Sequence, residues 1–222
     1  MAERGPLRLA HRGDWRRGVE NTIPALLAAL EVPACDGLEF DVRVSSDGVP
    51  VVIHDETLRR VQGRPERVDE VTADALDDLG VPALADVLAA VGRRTFLDIE
   101  LKDDPGRAAI EVVAAGRGPA LERAVVSSFH RGALEGVARL APAWRRWLNS
   151  RTLDATVVAD AVGLGCRGVA IVWRSLDRGS VGVAHAAGLE VVSYTVRRRA
   201  TFDRLARLGV MAVCVEGPAL DG

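Results

Sequence analysis

A chain of 222 residues, 48% hydrophobic and 27% charged, can bury one substantial core and reads as a single domain over residues 1–222. Its net charge of −2 leaves no basic surplus for nucleic acid, and no Lys/Arg block points to a membrane surface. The opening MAERGPLRLAH lacks the apolar run of a signal peptide, and every apolar run is too short to span a bilayer. Cys35, Cys166 and Cys214 are scattered in apolar sequence with no zinc-type spacing, so a reduced, cytoplasmic protein with packed thiols is expected.

Leu7 to Ala10 reads as a short strand ending in His11-Arg12-Gly13. Glu20-Asn21-Thr22 then opens a helix, with Thr22 or Asn21 as its cap, Pro24 in the first turn and Ala25 to Leu30 as its body. The next strand alternates. Leu38, Phe40, Val42 and Val44 point one way, and Glu39, Asp41 and Arg43 the other. Two carboxylates at i and i+2 share a face, roughly 7 Å apart along the strand. Asp47-Gly48 marks a turn, and the apolar run Val49 to Ile53 delivers His54 and Asp55.

Residues Glu56 to Gly80 read as a polar loop leading to a short helix from about Thr72, and a helix is expected over Ala85 to Gly92. Thr95 to Lys102 is a strand with Leu97, Ile99 and Leu101 on one face and Asp98, Glu100 and Lys102 on the other. Asp98 lies deeper and reads as a paired inner-layer residue.

The second half alternates regularly. Helices over Gly106–Ala115, Gly132–Leu140, Ala155–Leu164, Val181–Ala187 and Ala200–Leu208 precede strands over Ala124–Ser128, Trp144–Leu148, Gly168–Val172, Leu189–Thr195 and Val210–Val215. At Leu164-Gly165-Cys166, Ala187-Gly188-Leu189 and Leu208-Gly209-Val210, a glycine ends a helix where a buried strand begins. Eight strands alternating with helices predict a TIM (β/α)₈ barrel, with an open doubly wound sheet as the alternative. Charged inward faces favour the barrel. No glycine-rich nucleotide loop is present.

A parallel barrel gathers the carboxyl ends of its strands into one pocket. That rule collects His11, Arg12, Glu39, Asp41, His54, Glu100, Lys102, Ser127, Ser128, Tyr194 and Thr195. Three carboxylates without a thiolate suit a hard cation, Mg²⁺ or Ca²⁺. His11 and His54 suit general acid and base work near neutral pH. Lys102 and Arg12 suit an anionic substrate group such as phosphate, or ion pairs with the neighbouring acids. His130 reads as a rim residue and His185 as helix surface. Trp144, Trp147 and Trp173 read as core or rim, and Trp15 as lining the mouth.

The run His11-Arg12-Gly13, Glu20-Asn21-Thr22, Glu39-Phe40-Asp41-Val42, Asp47-Gly48 and His54-Asp55 resembles the opening signature of the glycerophosphodiester phosphodiesterase family. Pro82-Ala83-Leu84, Glu100-Leu101-Lys102 and Ser128-Phe129 resemble its later segments. The resemblance implies a TIM barrel that hydrolyses glycerophosphodiesters to glycerol 3-phosphate and an alcohol with a divalent metal. It implies Glu39, Asp41 and Glu100 as metal ligands and His11 and His54 as the acid/base pair. Arg12 and Lys102 would hold the phosphate, and Tyr194 would contact substrate. It leaves open which histidine is the acid, and whether the chain is a monomer or a homodimer.

Two segments depart from the family pattern. Tyr194-Thr195-Val196-Arg197 stands for Trp-Thr-Val-Asn, and Val215-Glu216-Gly217-Pro218 for Thr-Asp-x-Pro. A phosphodiesterase acting on a lysophospholipid or sugar phosphodiester, or a non-catalytic barrel binding phosphorylated metabolites, are the competing expectations.

Overall fold

The computed structural model describes residues 5–104 and 106–222. Nine strands form one sheet: β1 (Leu7–His11), β2 (Gly37–Val44), β3 (Pro50–Val52), β4 (Phe96–Leu101), β5 (Ala124–Ser128), β6 (Arg146–Ser150), β7 (Gly168–Val172), β8 (Glu190–Val196) and β9 (Ala212–Val215). All but β3 are parallel to their neighbours, and β1 pairs with both β2 and β9, which closes an eight-stranded barrel. The helices are α1 (Ile23–Leu30), α2 (Ala73–Asp77), α3 (Leu84–Val91), α4 (Gly106–Arg117), α5 (Arg131–Leu140), α6 (Ala155–Gly163), α7 (Arg178–Ala186) and α8 (Arg199–Leu208). None of these helices is long and apolar enough to cross a membrane.

Strand parity divides the core in two. Outward residues such as Phe40, Leu97, Ile99 and Val126 pack against Leu26, Leu84, Val87 and Leu134 of the helices. Inward residues Leu9, Phe96, Val125, Trp147, Ala170, Val192 and Cys214 plug the barrel interior. Above that plug the inward positions turn polar, and this switch creates the site. All three cysteines are free, with Cys166 and Cys214 buried.

β3 is an addition to the barrel. It pairs antiparallel with the end of β2, Val42 opposite Val52, and folds a side unit with its own core of Val51, Ile53, Leu58, Val68, Leu76 and Val81. His54 hangs from this unit, anchored where the Ile53 amide donates to the Asp41 carbonyl at 3.0 Å.

Sequence and structure differ at several boundaries. β6 begins at Arg146, not Trp144, because the turn after α5 continues to Trp144, whose amide donates to the Ala141 carbonyl at 3.0 Å. Trp144 is buried outside the barrel and Trp147 inside it, while Asn149 continues the inward face. α7 begins at Arg178, three residues early, because Asp177 caps it by accepting from the Ser180 amide at 2.7 Å. The three helix-ending glycines do adopt positive φ, 64° at Gly165, 77° at Gly188 and 79° at Gly209.

Candidate active site

The end of β1 is tightly built. Gly13 has φ 88°, and a Cβ there would meet the Ala25 backbone at 2.6 Å, so the loop can cross α1 only with glycine. Arg12 and Asn21 also take left-handed φ values of 60° and 59°, and the Asn21 amide donates to the Arg12 carbonyl at 3.0 Å. This bracket aims two side chains at β2. Asn21 Nδ2 donates to Asp41 Oδ2 at 2.8 Å, and Arg12 Nε lies 2.9 Å from the same oxygen. Thr22, not Asn21, is the cap of α1.

Glu39, Asp41 and Glu100 converge. One oxygen of each lies within 4.8 Å of the others, and all three side chains are buried. Adjacent parallel strands supply them, with Asp41 level with Glu100. Lys102 Nζ lies 2.8 Å from Asp41 Oδ1 and also contacts Glu100. Both oxygens of Glu39 are buried without a hydrogen bond. Orphaned buried carboxylate oxygens are costly unless a cation or proton meets them, and all-oxygen donors suit a hard divalent ion. The cluster therefore fits Mg²⁺ or Ca²⁺.

The electrostatics follow from burial. Desolvation, then the negative charges of Asp41 and Glu100, raises the Glu39 carboxyl well above its ordinary value. Burial likewise raises Glu100, with Lys102 opposing. For Asp41 burial is outweighed by Lys102 and Arg12, and its pKa is lowered. Asp98, one layer below, has no ion-pair partner among the described residues, and burial pushes it up to about 7 against a hydrogen bond with Ser127.

His11 and His54 are each tied to a carboxylate. His54 Nδ1 is 2.6 Å from Asp55 Oδ1, and Arg60 Nε holds the other Asp55 oxygen at 2.5 Å. His11 Nδ1 is 2.6 Å from Glu216 Oε1, and Arg197 Nε holds the other Glu216 oxygen at 2.6 Å. A carboxylate only accepts, so in both dyads Nδ1 donates and Nε2 is left for substrate. His11 Nε2 stands 3.8 Å from Glu39. Burial lowers His54 below its ordinary value despite Asp41. His11 and Arg197 hold Glu216 down, at about 2, against the effect of burial.

The mouth has two lobes that share His11, Arg12 and Thr195. One, of about 500 Å³, adds His54, Glu100, Lys102, Phe129, His130, Arg151, Val172 and Tyr194. The other, of about 610 Å³, runs past Glu20 and Glu216 to the start of α8. The Tyr194 hydroxyl donates to the Ser150 carbonyl at 2.7 Å, so Tyr194 offers its ring to the cavity, edge-to-face with Phe129 at 5.8 Å. Trp173 lines the second lobe, while Trp15 is exposed and lines neither lobe. His185 is on the surface of α7.

Sequence reasoning passed over Asn21, Arg60 and Glu216 as site residues. Asn21 was absorbed by its capping propensity, and Arg60 lay in an unpatterned loop. Glu216 follows β9 directly, so the strand-end rule that selected the others reaches it too.

These features define a closed parallel barrel with an acidic, cation-ready pocket flanked by two histidine–carboxylate dyads. The sequence model of the Glycerophosphoryl diester phosphodiesterase family matches residues 11–220. The chain belongs to that family. It is 28% identical over 228 residues to a glycerophosphodiester phosphodiesterase of Caldanaerobacter subterraneus subsp. tengcongensis, covering 95% of this chain and 93% of the relative. Its fold matches a phosphodiesterase of Oleispira antarctica in complex with the product sn-glycerol-3-phosphate, with TM-score 0.85, 25% identity and coverage of 95% and 93%. It also matches a glycerophosphodiester phosphodiesterase of Agrobacterium tumefaciens, with TM-score 0.84, 28% identity and coverage of 97% and 98%.

Proposed function

We propose that this chain hydrolyses glycerophosphodiesters to glycerol 3-phosphate and an alcohol. One observation carries the reading: two histidines, each oriented by a carboxylate at 2.6 Å, stand over a buried three-carboxylate cluster. The product bound by the Oleispira phosphodiesterase and the names of the relatives support the substrate class.

Glu39, Asp41 and Glu100 would hold Mg²⁺ or Ca²⁺. Such an ion supplies Lewis-acid polarisation of the phosphoryl oxygens and charge neutralisation. Arg12 and Lys102 place two cations at the same cluster and face the phosphate charge. His11 and His54 present Nε2, one to take a proton from the attacking hydroxyl and the other to give one to the leaving alkoxide. Burial lowers the His54 pKa, which favours its neutral imidazole. Tyr194 and Phe129 give an aromatic wall to the smaller lobe, suited to a small polyol.

The test is glycerol 3-phosphate release from glycerophosphocholine and glycerophosphoethanolamine with Mg²⁺, Ca²⁺ or a chelator, for the native protein and His11→Ala. Metal-dependent release that disappears in the variant is expected. No release from either diester by folded, metal-loaded protein would sink the proposal.

A further inference from the structure

The larger lobe has a charge that hydrolysis of a simple diester does not require. Its wall carries five arginines, Arg12, Arg60, Arg174, Arg197 and Arg198, against two carboxylates, Glu20 and Glu216. The pairings are uneven. Glu20 is shared between Arg12 and Arg60, with contacts of 3.0 and 2.6 Å, and Glu216 is taken by His11 and Arg197. Arg174 and Arg198 have no acidic partner among the described residues, and both are exposed at the lobe.

Two further details fix the sign of the ligand. Trp173 is the one aromatic residue of this lobe, and a quaternary ammonium would seek its face. That ring is already stacked by the Arg174 guanidinium, 4.3 Å from the ring centroid, so an arginine stands in the lobe where a cationic head group would seat. The lobe also ends at α8, whose N-cap residue Arg198 supplies no side-chain acceptor, so its first turn adds positive potential.

The lobe adjoins the catalytic centre through His11 and Arg12, with the aromatic lobe on the other side. A phosphodiester centred on these residues sends one arm into each lobe. The aromatic lobe carries Lys102 and Arg151 as well, but Phe129 and Tyr194 give it the apolar wall that suits the carbon chain of a small glycerol, so the other arm meets the arginines of the larger lobe.

We propose that the lobe formed by Trp173, Arg174, Arg197 and Arg198 selects glycerophosphodiesters whose leaving alcohol itself carries a negative charge, such as a second phosphate. This rests on the hydrolysis proposed for the same site. It ranks substrates in an order set by the charge of the alcohol: anionic, then neutral, then cationic.

Kinetics on glycerophosphoinositol 4-phosphate, glycerophosphoinositol and glycerophosphocholine test it, with the native enzyme and the Arg174→Gln/Arg198→Gln double variant. The native enzyme is expected to favour the phosphorylated inositol diester by about tenfold in kcat/KM, the scale of two partly exposed charge pairs. The double variant should bring that ratio to within about twofold. Raising salt to ~0.5 M should compress the native ratio as well, because partly exposed charges are screened. Equal rates on all three diesters, or a preference that survives the double variant, overturn the proposal and leave the hydrolytic reading standing. No turnover of any diester overturns both.

Discussion

The two histidine stations are chemically alike and structurally opposite. Both place an arginine, a carboxylate and an imidazole in a row, with the carboxylate 2.6 Å from Nδ1. His54 and Asp55 are consecutive residues on the side unit that β3 builds, and Arg60 is five residues from Asp55. His11 and Glu216 are 205 residues apart, brought together where β1 closes on β9. One station is made by local geometry and the other by completion of the barrel. The lesson is that equal chemistry does not imply equal dependence on the fold.

The largest expected effect treats the stations as equals. His11→Ala and His54→Ala should each lower kcat by about 10²- to 10⁴-fold, the usual contribution of a positioned acid or base. A loss of only a few-fold at one of them, measured with saturating metal, would mean that a single station carries the proton transfers.

Metal binding should separate them, since the His11 station abuts Glu39. Burial raises the Glu39 carboxyl well above its ordinary range when no cation compensates it, so binding of a divalent ion is expected to release a proton. The apparent Kd for Mg²⁺ or Ca²⁺ should weaken as pH falls, by up to about tenfold per pH unit. Glu39→Gln should remove most of that pH dependence along with most of the affinity. Calorimetric titration in two buffers of different ionisation enthalpy measures the released proton directly, and a proton count of zero would contradict it.

A smaller effect divides the carboxylates. Asp55→Asn and Glu216→Gln should each lower kcat by about 10- to 100-fold through lost imidazole orientation. Both carboxylates also contribute pH-dependent stability, since against burial Arg60 and His54 lower Asp55 as His11 and Arg197 lower Glu216. Glu216 has its pKa depressed from 4.5 to about 2, so it contributes stability that is present above 4.5 and lost as pH falls toward 2. Glu216→Gln has no such contribution to lose. Its melting temperature should therefore change less than the native protein's across that window, and identical curves would refute the assignment.

The smallest effect concerns the outer arginines. Arg60 holds both Asp55 and Glu20, whereas the Arg197 side chain is 73% exposed. Arg60→Ala should cost about fivefold in kcat and Arg197→Ala about two- to threefold, in keeping with partly exposed ion pairs. The reverse order would make the barrel-closing station the more finely held.

The same contrast explains what the sequence disclosed. The alternating faces of β2 and β4 made Glu39, Asp41 and Glu100 visible as a set, because strand parity is a local rule. His54-Asp55 was visible for the same reason, as neighbours after an apolar run. The barrel was legible from eight strands alternating with helices and from their charged inward faces. What stayed hidden was non-local. The strand-end rule places Glu216 at the pocket but does not pair its carboxylate with His11, and nothing near Asn21 signals that left-handed backbone turns its side chain onto Asp41. Parity gave the direction of Asp98 but could not name Ser127 beside it.

The clasp between His11 and Glu216 also sets an order of events in the making of the protein. Chains emerge from the ribosome amino end first, at about 5 to 20 residues per second. His11 is therefore made early and waits roughly 10 to 40 s for the carboxylate that orients it, 205 residues later. Until β9 docks against β1, the nascent chain has both imidazoles but only one is aimed. Alignment of both imidazoles is complete only with β9, so a chain stalled before Glu216 has one dyad assembled and the other open.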